Sequence, residues 1–94
     1  MRSHPLLAAR ILRTDLETTR FGMATGRVLG SAVVRNRVRR RIREALRALG
    51  PSIQPGWDVL LVARPALVDA DYETLVKTLR RQLARGGVLE GSNG

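Results

Sequence analysis

Cysteine is absent from this chain, histidine and lysine occur once each, and only three of its 94 residues are aromatic. Without thiols there is neither a disulfide framework nor a thiolate zinc site. No apolar run approaches the ~18 residues of a membrane span. The first twelve residues are no secretory signal, because Arg10 interrupts their apolar stretch. A soluble, cytoplasmic protein is the expectation. Catalytic sets are missing as well. His4 lies beside Pro5 near the terminus, Asp15 and Glu17 sit in a turn without a partner, and Asp71 reads better as a helix cap than as half of a pair with Asp69. Neither a Ser/His/Asp arrangement nor a metal-ligand spacing is present. Three aromatics are too few for a single-strand reader built on stacking platforms. Trp57 and Tyr72 are expected to anchor the core; Phe21 either packs there or stacks on a base.

What the chain does have is arginine. Seventeen Lys/Arg against eight Asp/Glu give a formal charge of +9. The segment 31–50 holds seven of the bases and one acid, so it supplies +6 and the remainder +3. Charge concentrated in this way is an electrostatic footprint for a polyanion. Arginine suits bidentate phosphate contacts, although genomic base composition explains a preference over lysine equally well.

That segment reads as one helix. Val34, Val38, Ile42, Ala45, Leu46 and Leu49 recur at the spacing of a single buried stripe. Asn36, Arg39, Arg40, Arg43 and Arg47 cluster opposite it, Arg37 and Arg41 lie on one flank, and Arg35 sits at the other edge. Like charges at i, i+4 repel by a few tenths of a kcal/mol per pair. A solvated face normally mixes signs; this one does not, which points to nucleic acid. Ser31 is the natural N-cap and Gly50-Pro51 the stop. Arg27, in the loop before the cap, lies beside the free amides of the helix start and makes a phosphate seat there.

Around the helix, residues 6–13 and 20–25 read as strands, joined as an antiparallel hairpin because six residues are too few for a crossover. The second strand sets bulky Phe21 and Met23 against small Gly22 and Ala24, so a helix or a nucleic-acid backbone is expected to approach the small side. Residues 57–64 are a continuous apolar run, expected to be a central strand covered on both faces. Asp71 caps a last helix with a stripe of Tyr72, Leu75, Val76, Leu79 and Leu83, ending at Gly86-Gly87. The fold class is therefore α+β, a two-layer sandwich of a small mixed sheet with a basic central helix and a C-terminal helix. Residues 1–87 form one RNA-binding domain and 88–94 a disordered tail.

The run Gly30-Ser31-Ala32-Val33-Val34-Arg35-Asn36-Arg37-Val38-Arg39-Arg40-Arg41-Ile42-Arg43-Glu44 resembles the signature helix of the bacterial ribonuclease P protein subunit, an R-N-R triplet, one apolar residue, then Lys/Arg-Arg. Arg20-Phe21-Gly22 before it and the run from Trp57 to Arg64 after it agree in order, so the resemblance covers about residues 4–85. It implies a left-handed crossover where general chirality rules favour a right-handed one. It also implies a cofactor role in an endoribonuclease that matures tRNA 5′ ends, in which the RNA subunit is the catalyst and holds the required Mg²⁺, and the protein itself binds no cofactor. By the same resemblance Arg35, Asn36, Arg37, Arg39 and Arg40 contact ribonuclease P RNA, with Arg27 and Arg43 extending the surface and Phe21 as a stacking candidate. A cleft between signature helix and sheet holds the precursor tRNA 5′ leader. Gly26-Arg27 stands where the family has Ser-Lys, and Arg39 where lysine is common. The family's additional N-terminal helix is not in this sequence, so residues among Leu6, Leu7, Ile11 and Leu12 are expected to be partly bare. Translation from upstream of Met1, or marginal folding without RNA, is the accompanying expectation. The alternative function is a stand-alone, ribosomal-protein-like RNA- or DNA-binding module.

Overall fold

Ser31 closes the loop that precedes the longest element. In the computed structural model, which describes residues 4–89, its Oγ accepts the Val34 N–H at 3.3 Å, and helix α1 runs over Ala32–Leu49. Val38, Ile42, Ala45 and Leu49 of its stripe are buried, with Leu46 packed beside them. A 3₁₀ turn over Gly50–Ser52, with Pro51 in it, ends the helix.

Strands β1 (Leu7–Arg13), β2 (Arg20–Ala24) and β3 (Trp57–Ala63) form one sheet in the order β1-β3-β2. The expected hairpin between β1 and β2 is not formed. β3 lies between them, antiparallel to β1 with Leu7 opposite Ala63, and parallel to β2 with Phe21 opposite Val59. The reason is hydrophobic. β3 is the most continuously apolar strand and takes the central place, where both its edges are paired, while the strands carrying arginine take the edges. The six-residue link between β1 and β2 then spans one intervening strand instead of turning a hairpin.

The two faces of the sheet differ. Ala9, Leu61 and Met23 share one register row, and Ile11, Val59 and Phe21 the next; these meet the helices, with Ala9, Val59 and Leu61 buried. On the other face lie the rows Arg10–Leu60–Gly22 and Leu12–Asp58–Arg20. Here Leu12 is 65% and Leu60 38% exposed, so β3 is not covered on both faces. No helix approaches the small side of β2: a Cβ on Gly22 would stand 3.4 Å from the Leu60 Cδ1. The expectation of partly bare residues among Leu6, Leu7, Ile11 and Leu12 fails only at Leu7, and Leu12 is the most exposed. Leu7 is wholly buried, and Leu6 and Ile11 are half-buried.

Helix α2 covers Tyr72–Arg85, capped by Asp71, whose Oδ1 accepts the Thr74 N–H at 2.7 Å. Leu75, Leu79 and Leu83 are fully buried, whereas Tyr72 is 42% exposed and does not anchor the core. Its phenol stays at the surface because it precedes the buried turn. The helix ends in a Schellman motif. Val88 N–H donates to the Leu83 carbonyl at 2.8 Å, Gly87 N–H to that of Ala84 at 3.1 Å, and Gly87 takes a φ of +87°. This reversal turns Val88 and Leu89 back into the core, where they are 0% and 8% exposed and Leu89 bridges Ile53. Those two residues do not belong to a disordered tail; residues 90–94 of that expected tail lie outside the described residues. Gly87 also lies against Trp57, which is half-buried beneath the Arg13 guanidinium at 5.0 Å.

Candidate nucleic-acid interface

One helix carries seven arginines, and the fold gives them different work. Asn36, Arg37, Arg40, Arg43 and Arg47 are exposed. Arg39 is half-buried, and its guanidinium donates to the Asn36 Oδ1 at 3.0 Å. Arg35 lays its stem along the protein, as its place at the stripe's edge predicts: it is half-buried, with its Nε shielded and without a hydrogen-bond partner. Glu44 is exposed, and among the described residues no arginine of α1 takes part in an ion pair. The cationic face is thus neutralised neither by its own helix nor by a neighbour.

Arg41 differs from the rest. It reaches across to the 3₁₀ turn over Pro65–Asp69 and donates to the Leu67 carbonyl at 3.3 Å, to Val68 at 3.5 Å and to Ala70. Three main-chain carbonyls at the entrance to α2 are satisfied by one guanidinium. Nothing in the local pattern separates Arg41 from its neighbours, because its partners lie 26 to 29 residues away in sequence.

Arg27 is exposed on a 3₁₀ turn over Arg27–Leu29 that leads into the Ser31 cap. The first-turn amides beyond the one Ser31 satisfies have no intrahelical acceptors, as at every helix start. Val28 and Val33 flank them, 71% and 67% exposed. Phe21 lies on the helix-facing side of β2, half-buried and packed against the core.

The space between α1 and the sheet, where the resemblance puts the leader, is filled by the core: Val38, Ile42, Ala45 and Leu49 occupy it. An open groove of about 640 Å³ lies instead on the opposite face of the sheet, among Arg10, Leu12, Arg20, Gly22, Asp58 and Leu60. Its floor is apolar and its edges charged. Arg20 Nε and Nη2 clasp Asp58 bidentately at 2.8 and 2.7 Å, and the hydrogen bonds from Arg20 hold the Asp58 carboxyl below the ordinary aspartate range. The sequence signal for this pair is weak but present, an acid inside an apolar strand whose parallel neighbour begins with arginine. Among the described residues no group of three or more His, Cys, Asp or Glu is arranged to hold a metal ion, and no helix is long and apolar enough to cross a membrane.

Comparison with known proteins places this geometry. The family model described as Ribonuclease P matches residues 2–86. The Ribonuclease P protein component of Roseiflexus castenholzii is 48% identical over 75 residues, covering 79% of this chain and 62% of that protein. That of Symbiobacterium thermophilum is 43% identical over 72 residues, covering 77% and 63%. The chain therefore spans about three fifths of the length of these curated relatives. Among solved structures, the RNase P protein of Staphylococcus aureus superposes with a TM-score of 0.82 at 22% identity, covering 94% of this chain and 81% of that one. That of Thermotoga maritima gives 0.81 at 24%, covering 88% and 79%. These last two establish the shared α+β fold, and the match of nearly the whole chain establishes the lineage: this chain belongs to the Ribonuclease P protein family.

Proposed function

We propose that this protein is the RNA-binding cofactor of ribonuclease P, seating the outer face of α1 on the catalytic RNA and supporting removal of precursor tRNA 5′ leaders. The observation that carries the reading is the unneutralised arginine face itself. Arg37, Arg40 and Arg43 are exposed without an acidic partner, and Asn36 holds Arg39 beside them. Guanidinium forks in that array match phosphate oxygens two at a time. Arg27 and the amides of the helix start add a place for one more phosphate, and Arg35 covers the edge of the contact.

The leader, in this reading, lies in the groove on the open sheet face. Leu12, Leu60 and Gly22 offer bases an apolar floor, and Arg10 stands at its edge for the backbone. The protein then sits between the catalytic RNA on its helix side and the leader on its sheet side. Catalysis and its Mg²⁺ belong to the RNA; the protein supplies charge and position, and works in the cytoplasm where precursor tRNAs are made.

Reconstitution tests this. Added to ribonuclease P RNA at low Mg²⁺, the protein is expected to stimulate leader removal. Tight binding of that RNA without any stimulation would instead favour a stand-alone RNA-binding module.

A further inference from the structure

The charge of this molecule is divided by layer. α1 holds seven arginines against Glu44, and α2 holds Lys77, Arg80, Arg81 and Arg85 against Glu73. The two helices thus account for the whole formal charge of +9, while the six bases and six acids of the remainder cancel. The net charge thus lies on the two helices.

On α2 two of the four cations have an ordinary explanation. Lys77 pairs with Glu73 one turn back at 3.4 Å, and Arg85 stands in the last turn, where a cation complements the helix dipole. Arg80 and Arg81 have neither. They lie before the last turn, are exposed, and among the described residues take part in no ion pair. Arg81 follows Lys77 by four residues, which adds like-charge repulsion. Among the described residues, no hydrogen bond or ion pair uses them. Their helix packs against α1 over the same face of the sheet through Leu75, Leu79 and Leu83. Packed helices lie about 8–10 Å apart, a separation at which one RNA surface meets both.

We infer that Arg80 and Arg81 of α2 form a second phosphate-binding contact for the catalytic RNA, continuing the α1 face across the helix layer. The inference rests on the cofactor reading above, and it extends the interface to an element that the signature motif does not include. The contact is electrostatic, so it adds affinity and salt dependence without reading sequence.

The test is the salt dependence of binding to the catalytic RNA alone, made from the same genome, for the full chain and three double variants. Each phosphate contact adds roughly 0.7–0.9 to the slope of log K against log salt. Arg80→Ala with Arg81→Ala is expected to lower that slope by about one to two, with an unchanged melting temperature, and Arg80→Lys with Arg81→Lys to keep it. A slope and affinity equal to those of the unaltered protein overturn the inference, provided that Arg39→Ala with Arg40→Ala does weaken binding. If the α1 variant and the unaltered protein both show a flat slope, the cofactor reading fails, and this inference with it. A slope change seen only once precursor tRNA is added also overturns the assignment to the catalytic RNA.

Discussion

Arg39 and Asn36 stand one turn apart on the outer face of α1, joined by a 3.0 Å hydrogen bond from the guanidinium to the amide oxygen. Asn36 is otherwise exposed and touches no part of the core. The bond fixes where Arg39 presents its remaining donors and leaves the Asn36 amide hydrogens facing outward. Asn36→Ala is therefore expected to change stability by no more than about 0.5 kcal/mol, while weakening ribonuclease P RNA binding through a freed Arg39. Thermal melts and filter binding measure the two effects separately. A large drop in melting temperature would mean that Asn36 bridges the fold.

Reversal of charge on the same face is the harsher test. Arg39→Glu with Arg40→Glu should abolish tight RNA binding and leave the circular dichroism of the domain intact, since neither side chain belongs to the buried stripe. RNA affinity that survives this pair of changes removes α1 from the interface.

Arg41 should behave in the opposite manner. Its guanidinium satisfies the carbonyls of Leu67, Val68 and Ala70, and charge-assisted bonds of this kind contribute about 1.5–3 kcal/mol. Arg41→Ala is expected to cost stability on that scale, with RNA affinity preserved below the new melting point. Val38→Asp, which puts a carboxylate at a site 2% exposed, should go further and unfold the domain. Denaturant titration ranks the two.

The end of α2 depends on backbone geometry. Gly87 sits at φ +87°, and an added Cβ would find only the Trp57 ring, at ordinary contact distance of 3.5 Å. Gly87→Ala is thus a nearly clean measure of left-handed strain, expected to cost about 1–2 kcal/mol. A neutral result would show that the Schellman reversal does not hold Val88 and Leu89 in place.

Two carboxyls set the response to acid. Hydrogen bonds from Arg20 hold Asp58 low, and hydrogen bonds from Thr74 do the same for Asp71. Because both pKa values are lower in the folded state, their stabilisation is complete above the ordinary aspartate value of about 3.9. It is lost as pH falls through the lower folded values. Melting temperatures followed from pH 7 to pH 2 should stay level in this respect until about pH 4 and then fall. The fall should be shallower in Asp58→Asn with Asp71→Asn. An equally steep acid limb in that variant would assign it to other groups.

Much of this molecule is written in short-range pattern. The Ser31 cap, the stripe from Val38 to Leu49, the apolar run of β3 and the Asp71 cap each depend on residues within a few positions of one another. What escaped depends on distant partners. The place of β3 between β1 and β2 is decided by competition among strands. The bare sheet face was hidden because Leu60 and Val62 are as apolar as the buried Val59 and Leu61. Arg41 looks like any other arginine of its helix until the carbonyls of the Pro65–Asp69 turn are brought to it. On α1, the exposure of Asn36, Arg37, Arg40 and Arg43 was legible from helical phase alone. The packing of α2 against α1 was not, since nothing in either helix names the other as its neighbour.

The insertion of β3 between two strands that precede it has a consequence for synthesis. β1 and β2 leave the ribosome first but share no hydrogen bond, so neither has an edge to pair with until Trp57–Ala63 emerges. At roughly 5–20 residues per second, the segment between β2 and β3, α1 included, delays the arrival of β3 by a few seconds. The arginine-rich helix is therefore complete, and free to meet RNA, before the sheet beneath it exists. Closure comes later still, when the Gln82 amide bonds to the Leu7 carbonyl 75 residues behind it. Nascent chains halted just after α1 should be digested readily by protease, and those that extend past Leu89 should resist.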